Sequence, residues 1–305
     1  SFAAGTARRD GDGWVLDGHW PATAAAGQAK VLLLPARTAD GLALLAVELW
    51  ADDRAVGAQA DKGAATGTGG SSADASSPAL RITPRRSIDL TQSLADVRAD
   101  GLRLPAEACL AQGPAAEAAL ARARQVGAVL LAAEQVGLAE AALSAAVAYT
   151  GQRVQFGSPV AGFQAVKHRC AQMMVAVESA RSAVYAAAEA AGTAAAAAVD
   201  AAAAALAPCA WPFAGDVLRA VAQARVLATE AALFCTRESL QLHGGAGYTW
   251  EVDCHLMLRR AQAAAQRFGA VGTWLDAVAE TLWGEDQRGA SSTALRPSGQ
   301  PLCLE

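Results

Sequence analysis

The stretch Gln241-Leu242-His243-Gly244-Gly245-Ala246-Gly247-Tyr248-Thr249-Trp250-Glu251 decides how this chain is read. It puts a polar head on a hydrophobic helical stretch and follows it with three glycines and an aromatic. A glycine has no Cβ, so the backbone here can pass close to something flat or anionic. The same glycines also suit a tight turn between two helices. On its own residues the stretch leaves both readings open.

Working outward, the chain from Pro114 shows apolar residues at helical spacing, with sparse glycine and scattered charge. This predicts long helices near 115–150, 160–191, 213–242 and 252–285. Between the second and third lies the alanine-rich Gly192 to Pro208, read as frayed helix or loop. Four long helices with short links predict an antiparallel four-helix bundle over 111–287. The segment 288–305, with Ser, Pro and Gly and no period, is expected to be loosely ordered.

The first 110 residues read as β. Trp14-Val15-Leu16 precedes a turn signal at Asp17-Gly18, and Val31 to Leu34 is closed by Pro35. Leu42 to Leu49, Leu80 to Thr83 and Val97 to Leu104 are further strands. Short strands separated by turn residues predict a small antiparallel barrel or sandwich. Near 57–78 a Gly/Ala/Ser/Thr stretch has little to bury and is expected to be a mobile loop. The predicted class is therefore α+β, a small β-domain followed by a helical bundle.

A second motif, Arg153-Val154-Gln155-Phe156-Gly157 with Phe163-Gln164 after it, changes the weight of the first. With Ala132 to Gly137 and Tyr149 in the same order, the two motifs resemble acyl-CoA dehydrogenases, above all bacterial ones. These FAD-dependent enzymes desaturate acyl-CoA thioesters between the α and β carbons. The resemblance runs from about Ala4 to about Ala270. It implies that Arg153 holds the FAD pyrophosphate of a neighbouring subunit and that Phe156 packs beside the adenine end. It implies cofactor hydrogen bonds from Gln164, and contact of Gln241 and the backbone of His243, Gly244 and Gly245 with the adenosine and phosphate portion. Read without the family, Arg153 neutralises a helix C-terminus, and Phe156 and His243 are core residues.

The resemblance also implies a carboxylate base, and here the chain departs from it. Counting forward from Gly247-Tyr248 to the usual glutamate lands on Phe268-Gly269. A second family position, on the first bundle helix, falls near Gly127, beside Arg124 and Gln125. Neither offers a carboxylate. Glu251 and Asp253 remain as weak candidates, and Glu134 and Glu251 are expected in structural ion pairs. In the family, a Trp-Ile-Thr or Phe-Val-Pro triplet backs the flavin ring; Ala22-Thr23-Ala24 stands there. The family's N-terminal helical domain would precede the β-region; it is expected to be lost from this chain or supplied by another.

These departures imply a partner-type subunit of a hetero-oligomer, a tetramer by resemblance, whose second acyl-CoA dehydrogenase subunit supplies base and flavin ring. Rival readings are a self-sufficient dehydrogenase with a relocated base, a flavin-free scaffold and a flavin monooxygenase. Composition narrows the classes. The formal net charge of −4 shows no basic stripe for nucleic acid. No run reads as both long and apolar enough to span a membrane, and Ser1 to Asp10 lacks a signal-peptide core, so a cytoplasmic protein is expected. The six cysteines form no Cys-x-x-Cys pair and read as buried small hydrophobes rather than a zinc site.

Overall fold

A computed structural model describes residues 5–49, 79–205 and 215–294, with the side chains of 195–205 and 283–294 left aside. The chain divides into two compact units, Ser1–Arg122 and Ala123–Glu305.

The first unit is built on one seven-stranded sheet. Its strands are β1 (Gly5–Asp10), β2 (Gly13–Ala24), β3 (Val31–Thr38), β4 (Gly41–Glu48), β5 (Leu80–Arg85), β6 (Leu94–Leu104) and β7 (Cys109–Gln112). The spatial order is β5-β6-β2-β1-β3-β4-β7. One pairing departs from the antiparallel expectation: β1 and β3 run parallel, meeting at Thr6 and Arg37. The cause is topological. β1 forms a hairpin with β2 on one side, and the chain then returns to its other side in the same direction. Alternation along β3 puts Leu32 and Leu34 inside and leaves Val31 and Leu33 exposed. Trp14, Leu16, Trp20, Leu45, Ile82 and Val97 complete this core.

Two local expectations are corrected. Asp17-Gly18 is not a turn; β2 continues through it with a register shift between Leu16 and Gly18. The turn lies earlier, at Gly11-Asp12, where Gly11 adopts φ +60°. The Asp17 carboxylate instead accepts the Gly101 amide at 2.6 Å. β1 and β7 were not foreseen. The predicted loop near 57–78 lies outside the described residues.

Ala22-Thr23-Ala24 falls on a second irregularity of β2, between Trp20 and Thr23, with Ala22 at φ +52°. That left-handed backbone is strained for alanine. It is held by Asp96, whose Oδ1 accepts the Ala22 amide at 2.8 Å and Arg85 Nη1 at 3.0 Å. His19 Nε2 lies 3.9 Å from the same carboxylate.

The second unit carries the helices. The first, α1 (Pro114–Gln152), begins in the preceding unit; α2 (Gln164–Ala205), α3 (Gly215–His243), α4 (Cys254–Ala264) and α5 (Val271–Ala294) follow. α2 continues as helix to Ala205, into the segment expected to be frayed helix or loop, whose residues 206–208 lie outside the described ones. The fourth predicted helix is two, broken where Phe268 and Gly269 adopt φ +56° and +112° in succession. Helix also extends to Ala294, into the segment expected to be loosely ordered, and 295–305 lie outside the described residues.

The core of this unit is mostly alanine. Ala128, Ala132, Ala139, Ala142 and Ala146 of α1 pack with Val177, Ala180 and Val184 of α2 and with Ala224, Ala228 and Ala231 of α3. Alanine is the best helix former and lets helix axes approach closely. The same composition corrects the membrane reading. A window of α1 reaches mean hydropathy 1.5, enough by length and composition to cross a membrane, with 50% of it buried.

The Ala22 amide, then Arg85, holds the Asp96 carboxyl below its ordinary value of 3.8. A carboxyl depressed on folding stabilises the fold above its unfolded value, and the effect is lost as pH falls through the lowered one. Asp96→Asn is therefore expected to lower the thermal midpoint at neutral pH and to change it little near about pH 2. Melting curves at the two pH values check this.

Candidate functional site

The two sequence motifs meet at one end of the second unit. α1 and α3 both finish there, and the Tyr149 ring stacks on His243 at 4.4 Å between centroids and 26° between planes. α2 and α4 begin close behind. Arg169 of α2 bonds Glu238 of α3 at 2.7 Å across the same end.

Arg153 stands just beyond α1, its backbone N–H bonded to Tyr149 O at 2.9 Å. Its side chain is exposed and has no partner among the described residues. A two-residue hairpin follows, with Val154 opposite Pro159 and Gln155 opposite Ser158. Phe156 and Gly157 form the turn at φ +54° and +78°, which is the geometry of a type I′ turn. Gly157 suits it; Phe156 does not, since a bulky side chain at positive φ is strained. Phe156 is also 95% exposed, touching Phe163 edge-on at 6.2 Å. A strained phenyl ring held out in solvent is not a core residue. Gln164 opens α2, exposed, with Nε2 3.1 Å from His168 Nε2. Gln241 is exposed on the last turn of α3.

The glycines divide by role. Gly244 adopts φ +58°, the left-handed residue that commonly ends a helix. A Cβ on Gly247 would meet Leu240 O at 2.7 Å, so that glycine is needed for packing. Gly245 is required by neither cause. At Gly244 and Gly245 a Cβ would meet nothing within 4 Å, so their backbone faces open space. The His243 ring turns inward, 5% exposed, with Nδ1 bonded to Ser239 O at 2.7 Å. A carbonyl only accepts, so Nδ1 carries a proton. Only the backbone of His243 is left for a ligand. An exposed guanidinium, a projecting aromatic, two amide side chains and an open glycine backbone suit a nucleotide's phosphate and adenosine groups.

The position expected to hold a base is built differently. The Phe268 ring lies directly over Gly127: a Cβ on Gly127 would meet Phe268 Cζ at 2.5 Å. The two places at which the family pattern offers a carboxylate thus face each other, and a phenyl ring fills the space between them. Arg124 Nε donates to Phe268 O at 2.9 Å, and its guanidinium lies over the Trp274 ring at 5.1 Å. The other carboxylates are elsewhere. Glu134 pairs with Arg260 at 2.6 Å, as expected of a structural ion pair. Glu251 is exposed and, against expectation, makes no ion pair among the described residues. The exposed Asp253 precedes α4, and its side chain caps no amide. The 11 residues of α4, a rise of about 16 Å, stand between these two and Phe268.

Sequence reading missed Arg225. It is fully buried on α3, with Nη1 bonded to Gln135 Oε1 at 2.7 Å and to Thr229 Oγ1. Nη2 donates to Ala264 O at 2.8 Å and to Arg267 O at 3.0 Å. These are carbonyls at the end of α4, where the helix dipole is negative. Burial, and then the nearby Arg267, pull its pKa down to about 10, so it stays charged at neutral pH. The signal was available as Gln135 and Arg225 on otherwise apolar helix faces.

Among the described residues, Cys109, Cys170, Cys235 and Cys254 are free, and no group of three or more His, Cys, Asp or Glu could hold a metal. Burial pushes the Cys235 thiol up to about 12, so it behaves as a small apolar group.

Residues 117–282 match the family model for the acyl-CoA dehydrogenase C-terminal domain. The chain belongs to the acyl-CoA dehydrogenase family. Acyl-CoA dehydrogenase IpdE2 of Mycolicibacterium smegmatis is 36% identical over 131 residues, which cover 43% of this chain and 34% of that one. Butyryl-CoA dehydrogenase of Megasphaera elsdenii shares the fold at TM-score 0.70 and 24% identity, over 91% of this chain and 63% of that one. A Tcur3481-Tcur3483 steroid ACAD variant superposes at TM-score 0.66 and 25% identity, over 95% of this chain and 64% of that one. The chain therefore covers about a third of that curated relative and less than two thirds of these solved chains. Similarity of fold extends over both units, whereas the family match is confined to the helical part.

Replacing Arg225 with Met would leave Gln135 and two carbonyls without their donor. Each hydrogen bond to a charged group contributes roughly 1.5–3 kcal/mol, so Arg225→Met is expected to lower unfolding stability by about 3 kcal/mol. Denaturant titration checks the loss.

Proposed function

We propose that this chain is a subunit of an FAD-dependent acyl-CoA dehydrogenase that holds the outer part of the cofactor and does not supply the base. Acyl-CoA dehydrogenases are FAD-dependent flavoproteins. Arg153 grips the pyrophosphate, and Phe156 packs against the adenine. Gln164, Gln241 and the backbone of His243, Gly244 and Gly245 hydrogen-bond the adenosine and phosphate portion. FAD, when bound, supplies the hydride acceptor for α,β-desaturation of an acyl thioester.

The observation that carries this reading is the Gly127–Phe268 contact. Desaturation needs a carboxylate within hydrogen-bond reach of the α-proton. At position 268 stands a phenyl ring that cannot accept a proton, while the nucleotide-facing end keeps its polar groups. A base relocated to Glu251 or Asp253 is disfavoured by the length of α4 between them and Phe268. The base therefore comes from a second acyl-CoA dehydrogenase subunit in a hetero-oligomer, a tetramer by resemblance. The steroid ACAD, described by two component names, is consistent with such a pairing. The site of action is cytoplasmic.

The purified chain is expected to bind FAD substoichiometrically and to turn over no acyl-CoA. Arg153→Ala is expected to weaken FAD binding at least about tenfold, the scale of one lost charge-assisted contact. Flavin absorbance and calorimetric titration measure both. Full FAD occupancy with acyl-CoA turnover by this chain alone would sink the reading.

A further inference from the structure

Position 268 lies where a base would touch substrate, and its side chain decides more than proton transfer. We propose that Phe268 is a specificity-determining residue whose ring closes this chain's own reaction site to acyl thioesters. The proposal rests on the reading above, in which the chain belongs to the dehydrogenase family and lacks a base.

A base must come within hydrogen-bond reach of the carbon-bound proton it removes, so a residue in its place borders the reacting carbons. The backbone at Phe268 is held in a shape that a free Phe would avoid. Its φ of +56° is followed by +112° at Gly269. Arg124 holds the Phe268 carbonyl, and Arg225 holds that of Arg267. Strained backbone of this kind persists only where its surroundings enforce it, and it collects at functional sites.

The ring seats on a hole made for it. Gly127 lies inside α1, where glycine is a poor choice on helix propensity. Any side chain there would strike Phe268, whose Cζ, Cε1 and Cε2 lie 2.5, 2.7 and 3.0 Å from an added Cβ. The ring is also partly buried against the core of the unit. Protein interiors are close-packed, so a volume filled by a seated phenyl is denied to the acyl carbons of a substrate. The result is a subunit that can lend groups to a nucleotide without drawing the thioester into its own site.

The test uses the purified chain with two probes, butyryl-CoA and FAD, in separate calorimetric titrations. Wild type and Phe268→Tyr are expected to show no butyryl-CoA binding, and Phe268→Ala to gain it by at least about tenfold, the scale of opening an apolar pocket. FAD binding is expected to be the same in all three. Gly127→Ala is expected to lower the unfolding midpoint in wild type and to raise it when combined with Phe268→Ala, where helix propensity alone remains. Butyryl-CoA binding by wild type, no gain in Phe268→Ala, or a Gly127→Ala effect independent of residue 268 would each overturn the proposal. Failure of the FAD reading shows instead as an Arg153→Ala variant that binds FAD like wild type, with the thioester titrations unaffected.

Discussion

Arg225 brings a full positive charge into the apolar interior of the second unit, and no carboxylate among the described residues pairs with it. Burying such a charge is costly unless hydrogen bonds replace water. Here they come from Gln135 on α1, Thr229 on its own helix, and the Ala264 and Arg267 carbonyls at the end of α4. One side chain thus ties three helices together and holds the bend between α4 and α5 in place. The strained Phe268 and its seat on Gly127 both depend on the bend.

The alanine-rich core makes this joint necessary. Alanine allows close helix packing but buries little apolar area per residue. The described core is closed by a few larger groups, Met173, Cys235 and Trp274 among them, and by the polar face of α3. On that face, Thr229 and Thr236 return their hydroxyls to the carbonyls of Arg225 and Ala232, and His243 bonds Ser239 O. With these bonds made, and with Ser239 Oγ, Gln135 Nε2 and Arg225 Nε left without a partner among the described residues, a polar stripe runs through the interior and ends at the His243–Tyr149 stack.

Much of the fold was legible because its signals are local. Short apolar runs bounded by turn residues located β3 and β4, and helical spacing located α1 and α3. The misses share one cause, which is that the deciding partner is distant in sequence. Asp17-Gly18 looks like a turn until Gly101 is seen bonded to it from β6. β1 is polar at Thr6, Arg8 and Arg9, and becomes a strand only by pairing on both sides. The fourth helix reads as continuous because Phe268 has no local reason for a left-handed backbone; Arg124 and Gly127, far back on α1, provide it.

By itself the sequence determined the family, the order of a β-region before helices, and the absence of a carboxylate at positions 127 and 268. Those are properties of residue identity and short spacing, which one dimension records. Tertiary structure alone decided that 127 and 268 are one place, that a phenyl ring fills it, and that His243 turns inward while Phe156 turns out. Each depends on which atoms share a volume, and close packing between segments far apart in the chain settles that.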